Sequence, residues 1–200
     1  MALKAIVKVG SVTNLSDARY CAGMGVDMLG FDINPASPEY INPLKFQEIT
    51  GWVAGVKLVG EAHGLSEEDI RAQLVQYELD CLEISDLSLL ESLKHTDLTF
   101  IIKATTEASL NTAMTVAKNT PAVAYIFAEL NDQLTVRQAV SANSEVPLLV
   151  GYDVNPDQTE GLLATKEVNG FALKGSQEVK PGFKDYDELA DMLEALETDD

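Results

Sequence analysis

Short apolar runs alternate along this chain with stretches whose apolar residues recur at three- and four-residue spacing, and the alternation repeats eight times. The runs 5–9, 28–33, 53–59, 81–85, 99–103, 124–128, 147–151 and 170–174 are expected to be strands. Most are continuously apolar, as suits parallel strands covered on both faces. The intervening segments carry helix signals. Asn42-Pro43 and Asn155-Pro156 each place a capping side chain before a first-turn proline. Ser66-Glu67-Glu68-Asp69 resembles a capping box and is followed by Ile70, Leu74 and Tyr77 on one face. Asp185-Tyr186-Asp187-Glu188 opens the last helix, with Leu189, Met192, Leu193 and Leu196 as its apolar stripe. The first helix starts near Asn14 and is expected to stop at Gly25.

Eight strand–helix units with short connections predict an α/β protein, a single-domain (β/α)8 TIM barrel over residues 1–200. Residues 197–200 read as a frayed acidic tail. An open doubly wound sheet is the alternative, and it differs only in strand order. No Pro/Gly/Ser-rich linker divides the chain.

Composition narrows the function. Hydrophobic residues make up 46% of the 200 positions, so a sizeable core is expected. The formal charge of −18 disfavours nucleic acid and anionic membranes as partners. No apolar run reaches the roughly 18 residues of a membrane span, and the start does not read as a secretory signal. Two cysteines, Cys21 and Cys81, make no disulfide framework and read as small core residues. Cytoplasm is the expected compartment.

In barrels of this class, chemistry sits where strands end and the following loops begin. Charged residues fall there around the whole ring: Lys8, Asp32, Lys57, Glu83, Lys103, Glu129, Asp153 and Lys174. Charge inside apolar strands is costly unless paired. The ring therefore reads either as a polar pocket or as an ion-pair network closing the top of the core. Gly151 after the seventh strand and Gly175-Ser176 after the eighth sit where such barrels hold phosphate on backbone N–H groups, with Lys174 and Lys180 nearby. Tight turns are the plain alternative. His63 reads as a solvated loop histidine, with acid–base work as the other possibility. His95 sits at a helix end, where a cation suits the dipole. No metal-ligand spacing, no Ser-His-Asp pattern and no P-loop stands out.

The residues also resemble a known family. Lys8-Val9-Gly10-Ser11-Val12-Thr13-Asn14, Asp17-Ala18, Gly25-Val26-Asp27-Met28-Leu29-Gly30-Phe31 and Ser37-Pro38-Glu39-Tyr40 look like the N-terminal quarter of phosphoribosylanthranilate isomerase. Gly55-Val56 and Lys103-Ala104 are compatible with it, and Pro181-Gly182-Phe183-Lys184-Asp185 resembles its motif before the last helix. The resemblance implies a compact (β/α)8 barrel, a phosphorylated small-molecule ligand and a monomer or homodimer. It also implies an Amadori aldose–ketose isomerisation in tryptophan biosynthesis, without metal or organic cofactor.

The functional positions depart from that pattern. The family's catalytic cysteine is Gly10 here, and its anthranilate-binding arginine is Glu39. Its general-acid aspartate falls at Ala128 or has moved to Glu129, and its strand-eight aspartate falls at Ala172. Losing a placed base costs roughly 10²–10⁴ in rate. Three readings stay open: the family isomerisation with relocated groups such as Glu129 and Asp32; a non-catalytic barrel binding a phosphorylated metabolite or a protein; and a sugar-phosphate enzyme using Lys57, Lys103 or Lys174.

Overall fold

The computed structural model describes residues 2–132, 134–140, 145–175, 178–180, 183–184 and 187–198. Its strands are β1 (Ile6–Gly10), β2 (Met28–Asp32), β3 (Lys57–Glu61), β4 (Cys81–Ile84), β5 (Thr99–Ala104), β6 (Val123–Glu129), β7 (Leu148–Gly151) and β8 (Gly170–Lys174). They pair in sequence order, and β1 also pairs in parallel with β8, from Ile6 opposite Gly170 to Gly10 opposite Lys174. That seam closes the barrel and removes the doubly wound alternative. A short antiparallel pair, β9 (Glu178–Lys180) and β10 (Phe183–Lys184), follows β8.

The helices are α1 (Leu15–Gly23), α2 (Pro43–Thr50), α3 (Glu67–Leu74), α4 (Leu89–Leu93), α5 (Glu107–Lys118), α6 (Val136–Val140), α7 (Thr159–Ala164) and α8 (Asp187–Ala195). The caps act as their residue types require. Asn14 accepts from the Asp17 amide at 3.0 Å, and Asn42 from that of Lys45 at 3.0 Å. Ser66 accepts from the Asp69 amide at 3.2 Å and donates to the Asp69 carboxylate at 2.6 Å. Gly25, with φ of 81°, ends the first helix in the left-handed conformation that glycine adopts without penalty. Asn155-Pro156 opens a 3₁₀ turn before α7 rather than an α-helix. Asp185, expected near the last cap, lies outside the described residues.

Strand alternation sorts the apolar residues into two cores. Met28, Val59, Cys81, Ile101, Phe127, Leu149 and Ala172 fill the barrel interior. Their strand neighbours, such as Val9, Phe31, Leu82, Ile84, Phe100 and Ile126, pack outward against the helices. Both cysteines are buried and free, and burial pushes the Cys21 thiol up to about 12.

One sequence expectation changes. Strand three was expected at 53–59, but Lys57 opens it. Gly55, at φ of 79°, interrupts the apolar run. The ladder then starts where the Lys57 amide donates to Asp27 O and that of Leu58 to the Asp80 carboxylate. The strand ends at Glu61 opposite Asp32. Within the stretch read as an acidic tail, Glu197 bridges Leu3, and the Thr198 amide and hydroxyl both donate to Ala2 O; residues 199–200 lie outside the described residues.

Candidate functional site

Position along each inward-facing row decides what meets at the barrel mouth. Just above the apolar interior, β3 and β4 set Glu61 and Glu83 opposite one another. Like charges in that register repel, and a cation from elsewhere on the ring must answer them. Lys8 of β1 does so. Its ammonium is fully buried, 2.5 Å from Glu61 Oε1 and 2.8 Å from Glu83 Oε2. The second Glu61 oxygen accepts from the Ser11 amide at 3.0 Å, held by a left-handed Ser11 with φ of 52°.

The other Glu83 oxygen meets His63 Nε2 at 2.9 Å, and His63 Nδ1 lies 2.8 Å from Ser85 Oγ. Asn34 Nδ2 donates to His63 O at 2.8 Å and fixes the histidine's backbone. Burial alone pulls the Lys8 ammonium down, but the two carboxylates outweigh it and hold it well above its usual value. Burial alone pushes the Glu83 carboxyl up, yet Lys8 and His63 bring it down to about 2. The chain Ser85–His63–Glu83–Lys8–Glu61 is a continuous polar network running from the loop surface to the barrel axis.

Glycines make room for it. A Cβ on Gly30 would lie 2.3 Å from Glu61 Oε1. A Cβ on Gly10 would lie 2.6 Å from both Glu61 Oε1 and the Tyr152 hydroxyl, and 3.1 Å from the Lys8 ammonium. Tyr152, just past β7, packs edge-on against Phe127 with ring centroids 5.1 Å apart. Lys174 lies 5.1 Å and Lys103 5.8 Å from its ring centroid, within cation–π range. Burial pushes the Tyr152 phenol up, so it stays a neutral plug.

The expected site residues are thus redistributed. Lys8, Glu83 and Gly10 come together at the centre. Lys103 and Glu129 pair with each other at 2.8 Å nearer the surface. Asp32 turns to the following loop and accepts from the Asn34 amide at 2.8 Å. Asp153 is exposed. Lys57, expected at the mouth, opens β3 at the opposite end of the barrel, 5.7 Å from the Tyr125 ring centroid, because the strand starts four residues later than its apolar run.

The two phosphate-type glycines have structural duties. The Gly175 amide donates to Gly10 O at 2.8 Å, and a Cβ there would lie 3.5 Å from the buried Asp17 carboxylate. A Cβ on Gly151 would lie 1.9 Å from Ala172 O. Ser176 lies outside the described residues, as do the side chain of Lys180 and Pro181-Gly182.

Sequence reasoning missed Glu61 and Tyr152 and found no Ser–His–acid arrangement. Glu61 was hidden by the misplaced strand. The x-E-x-S spacing of Glu83 on β4 and Ser85 just past its end, two positions apart, was the available signal for the arrangement with His63. Among the described residues, no group of His, Cys, Asp and Glu could hold a metal ion, and no helix is long and apolar enough to cross a membrane. A cavity of about 530 Å³ lies beside the mouth, between the loops after β3 and β4, and Ser85 lines it.

Compared with solved structures, this architecture matches one group repeatedly. The chain superposes on phosphoribosyl anthranilate isomerase from Thermotoga maritima with a TM-score of 0.77 at 18% identity, covering 96% of this chain and 98% of that one. Its fold is that of the phosphoribosylanthranilate isomerases. A phosphoribosyl anthranilate isomerase solved with reduced 1-(o-carboxyphenylamino)-1-deoxyribulose 5-phosphate gives 0.76 at 19% identity, again over 96% and 98% of the two chains. The Thermus thermophilus enzyme gives 0.73 at 18% over the same shares. No family model and no curated protein matches by sequence.

Proposed function

We propose that this chain is a phosphoribosylanthranilate isomerase-like barrel that no longer carries out the Amadori isomerisation, its central site having become an ion-pair cluster. One observation carries this reading: the space above Gly10, where the resemblance implies a catalytic cysteine, is taken by the Glu61 carboxylate and the Tyr152 hydroxyl. The loss is therefore more than a missing thiol. Glu39 in place of an arginine compounds it. A carboxylate facing the substrate's carboxylate near 4 Å is unfavourable by about 4 kcal/mol at an effective dielectric of 20.

The deciding experiment is the isomerase assay on the purified chain and on Gly10→Cys. No turnover of phosphoribosylanthranilate is expected from either. Gly10→Cys is expected to lose about 1–3 kcal/mol in urea unfolding, because a packed mouth resists added atoms. Turnover by the unaltered chain, or rescue of a tryptophan auxotroph, would overturn the reading.

A second reading, the binding of a phosphorylated metabolite without conversion, is favoured by Lys174. It is exposed and, among the described residues, forms no ion pair. Its ammonium lies 5.1 Å from the Tyr152 ring centroid and gives an otherwise acidic chain a local cation, whereas Lys103 nearby is paired with Glu129. The Gly175 amide, already committed to Gly10 O, contributes nothing to such a site.

A further inference from the structure

We propose that Ser85, His63 and Glu83 form a nucleophile relay that opens into the cavity beside the mouth and hydrolyses small uncharged acyl esters. Ser85 and His63 lie outside the Gly10 centre and only Glu83 is shared with it, so the inference does not depend on the fate of the isomerisation. The geometry is that of an activated hydroxyl. Ser85 Oγ is 2.8 Å from His63 Nδ1, and the opposite ring nitrogen is 2.9 Å from Glu83 Oε1. Both separations fall within the reach a nucleophile–base–orienter set needs. Glu83 is fully buried and its other oxygen is held by Lys8, so it cannot swing away. With Nε2–H donating to Glu83, Nδ1 presents its lone pair to the Ser85 hydroxyl. Ser85 is exposed and His63 is 28% exposed, so a substrate can approach from the cavity.

The cavity sets the substrate class. Ala62, Leu65 and Leu89 supply apolar wall, and Asp86 supplies a carboxylate that disfavours anions. Gly64 and Leu65 also line it, and among the described residues their amides donate to no backbone acceptor, so they are available to a negative charge that develops on a carbonyl oxygen.

The reaction balances without any cofactor. Ser85 Oγ bonds to the ester carbonyl carbon as its proton passes to His63 Nδ1. The C–O bond to the alcohol then breaks, and the alcohol leaves with that proton. Water next attacks the acyl-Ser85 ester and gives a proton to His63. The Ser85 C–O bond breaks, Ser85 takes the proton back, and the carboxylic acid departs.

The test uses the full-length protein with p-nitrophenyl acetate and a fluorophosphonate probe. Expected results are one phosphonyl group per chain, mapped to Ser85 by peptide mass spectrometry, and release of p-nitrophenolate that falls at least 100-fold in Ser85→Ala and in His63→Ala. Ser85→Cys is expected to transfer reactivity to iodoacetamide, with His63→Ala slowing that alkylation. In Glu83→Gln the fall is expected in kcat with KM held, since Glu83 positions the ring without touching substrate. Folded protein that leaves Ser85 unlabelled, or turnover unchanged in Ser85→Ala, would overturn the relay. Neither result bears on the isomerase assay, and isomerase activity would not rescue the relay.

Discussion

Replacing Lys8 by methionine is expected to cost about 3–5 kcal/mol of folding stability, because it leaves two buried carboxylates without their cation. Methionine matches the lysine stem in length, so lost packing contributes little, and the effect isolates the charge. The pH dependence separates this account from a packing defect. In the unaltered chain Glu83 is depressed to about 2. Its contribution is present above the unfolded carboxyl value of roughly 4.3 and is lost as pH falls through the folded one. Lys8 is shifted upward, so its contribution is present below the unfolded value of roughly 10.4 and is lost as pH rises through the folded one.

Without Lys8 the balance at Glu83 moves toward burial, which raises its pKa, so acid relieves the strain. The deficit of Lys8→Met is therefore expected to be largest near neutrality and to shrink toward about pH 5. Urea unfolding of both proteins at the two pH values checks this. A deficit below about 1 kcal/mol, the scale of solvated surface pairs, would mean that water reaches the cluster.

Gly170→Ala is expected to cost about 4 kcal/mol or more. A Cβ there would lie 2.1 Å from Ile6 O and 2.8 Å from Ile6 Cβ. The obstacle is backbone of β1, not the end of a flexible side chain, so nothing local can yield. The β1–β8 seam, which closes the barrel, has to move instead. Gly161 on α7 is the control, because a Cβ there meets nothing within 4 Å. Gly161→Ala is expected to stabilise by up to about 1 kcal/mol through helix propensity. Thermal unfolding of the pair should therefore move in opposite directions. Equal effects would refute the close approach of β1 and β8.

The same comparison of backbone and side-chain obstacles explains why Gly10→Cys is milder. Its contacts are the ends of Glu61 and Tyr152, which can shift at the expense of hydrogen bonds.

The eight-fold alternation, the helix caps at Asn14, Asn42 and Ser66, and charge near most of the strand ends were legible in the order of residues alone. Those features are local. Periodicity and capping depend on residues within a turn or two of each other, and the ring follows once strand ends are placed. The family resemblance added the expectation that Gly10 and Glu39 stand where that family has its cysteine and arginine. Which charges meet follows from the folded barrel. Lys8 and Glu61 are 53 positions apart, and closure of the barrel alone brings them to 2.5 Å. The apolar run before Lys57 mimicked a strand, yet pairing with β2 carried the ladder on to Glu61 and sent Lys57 to the far end. His63, read as a loop histidine, was drawn against Glu83 and Ser85 by the same shift. Burial, register and ring closure are properties of several strands at once, and no stretch of one chain segment encodes them alone.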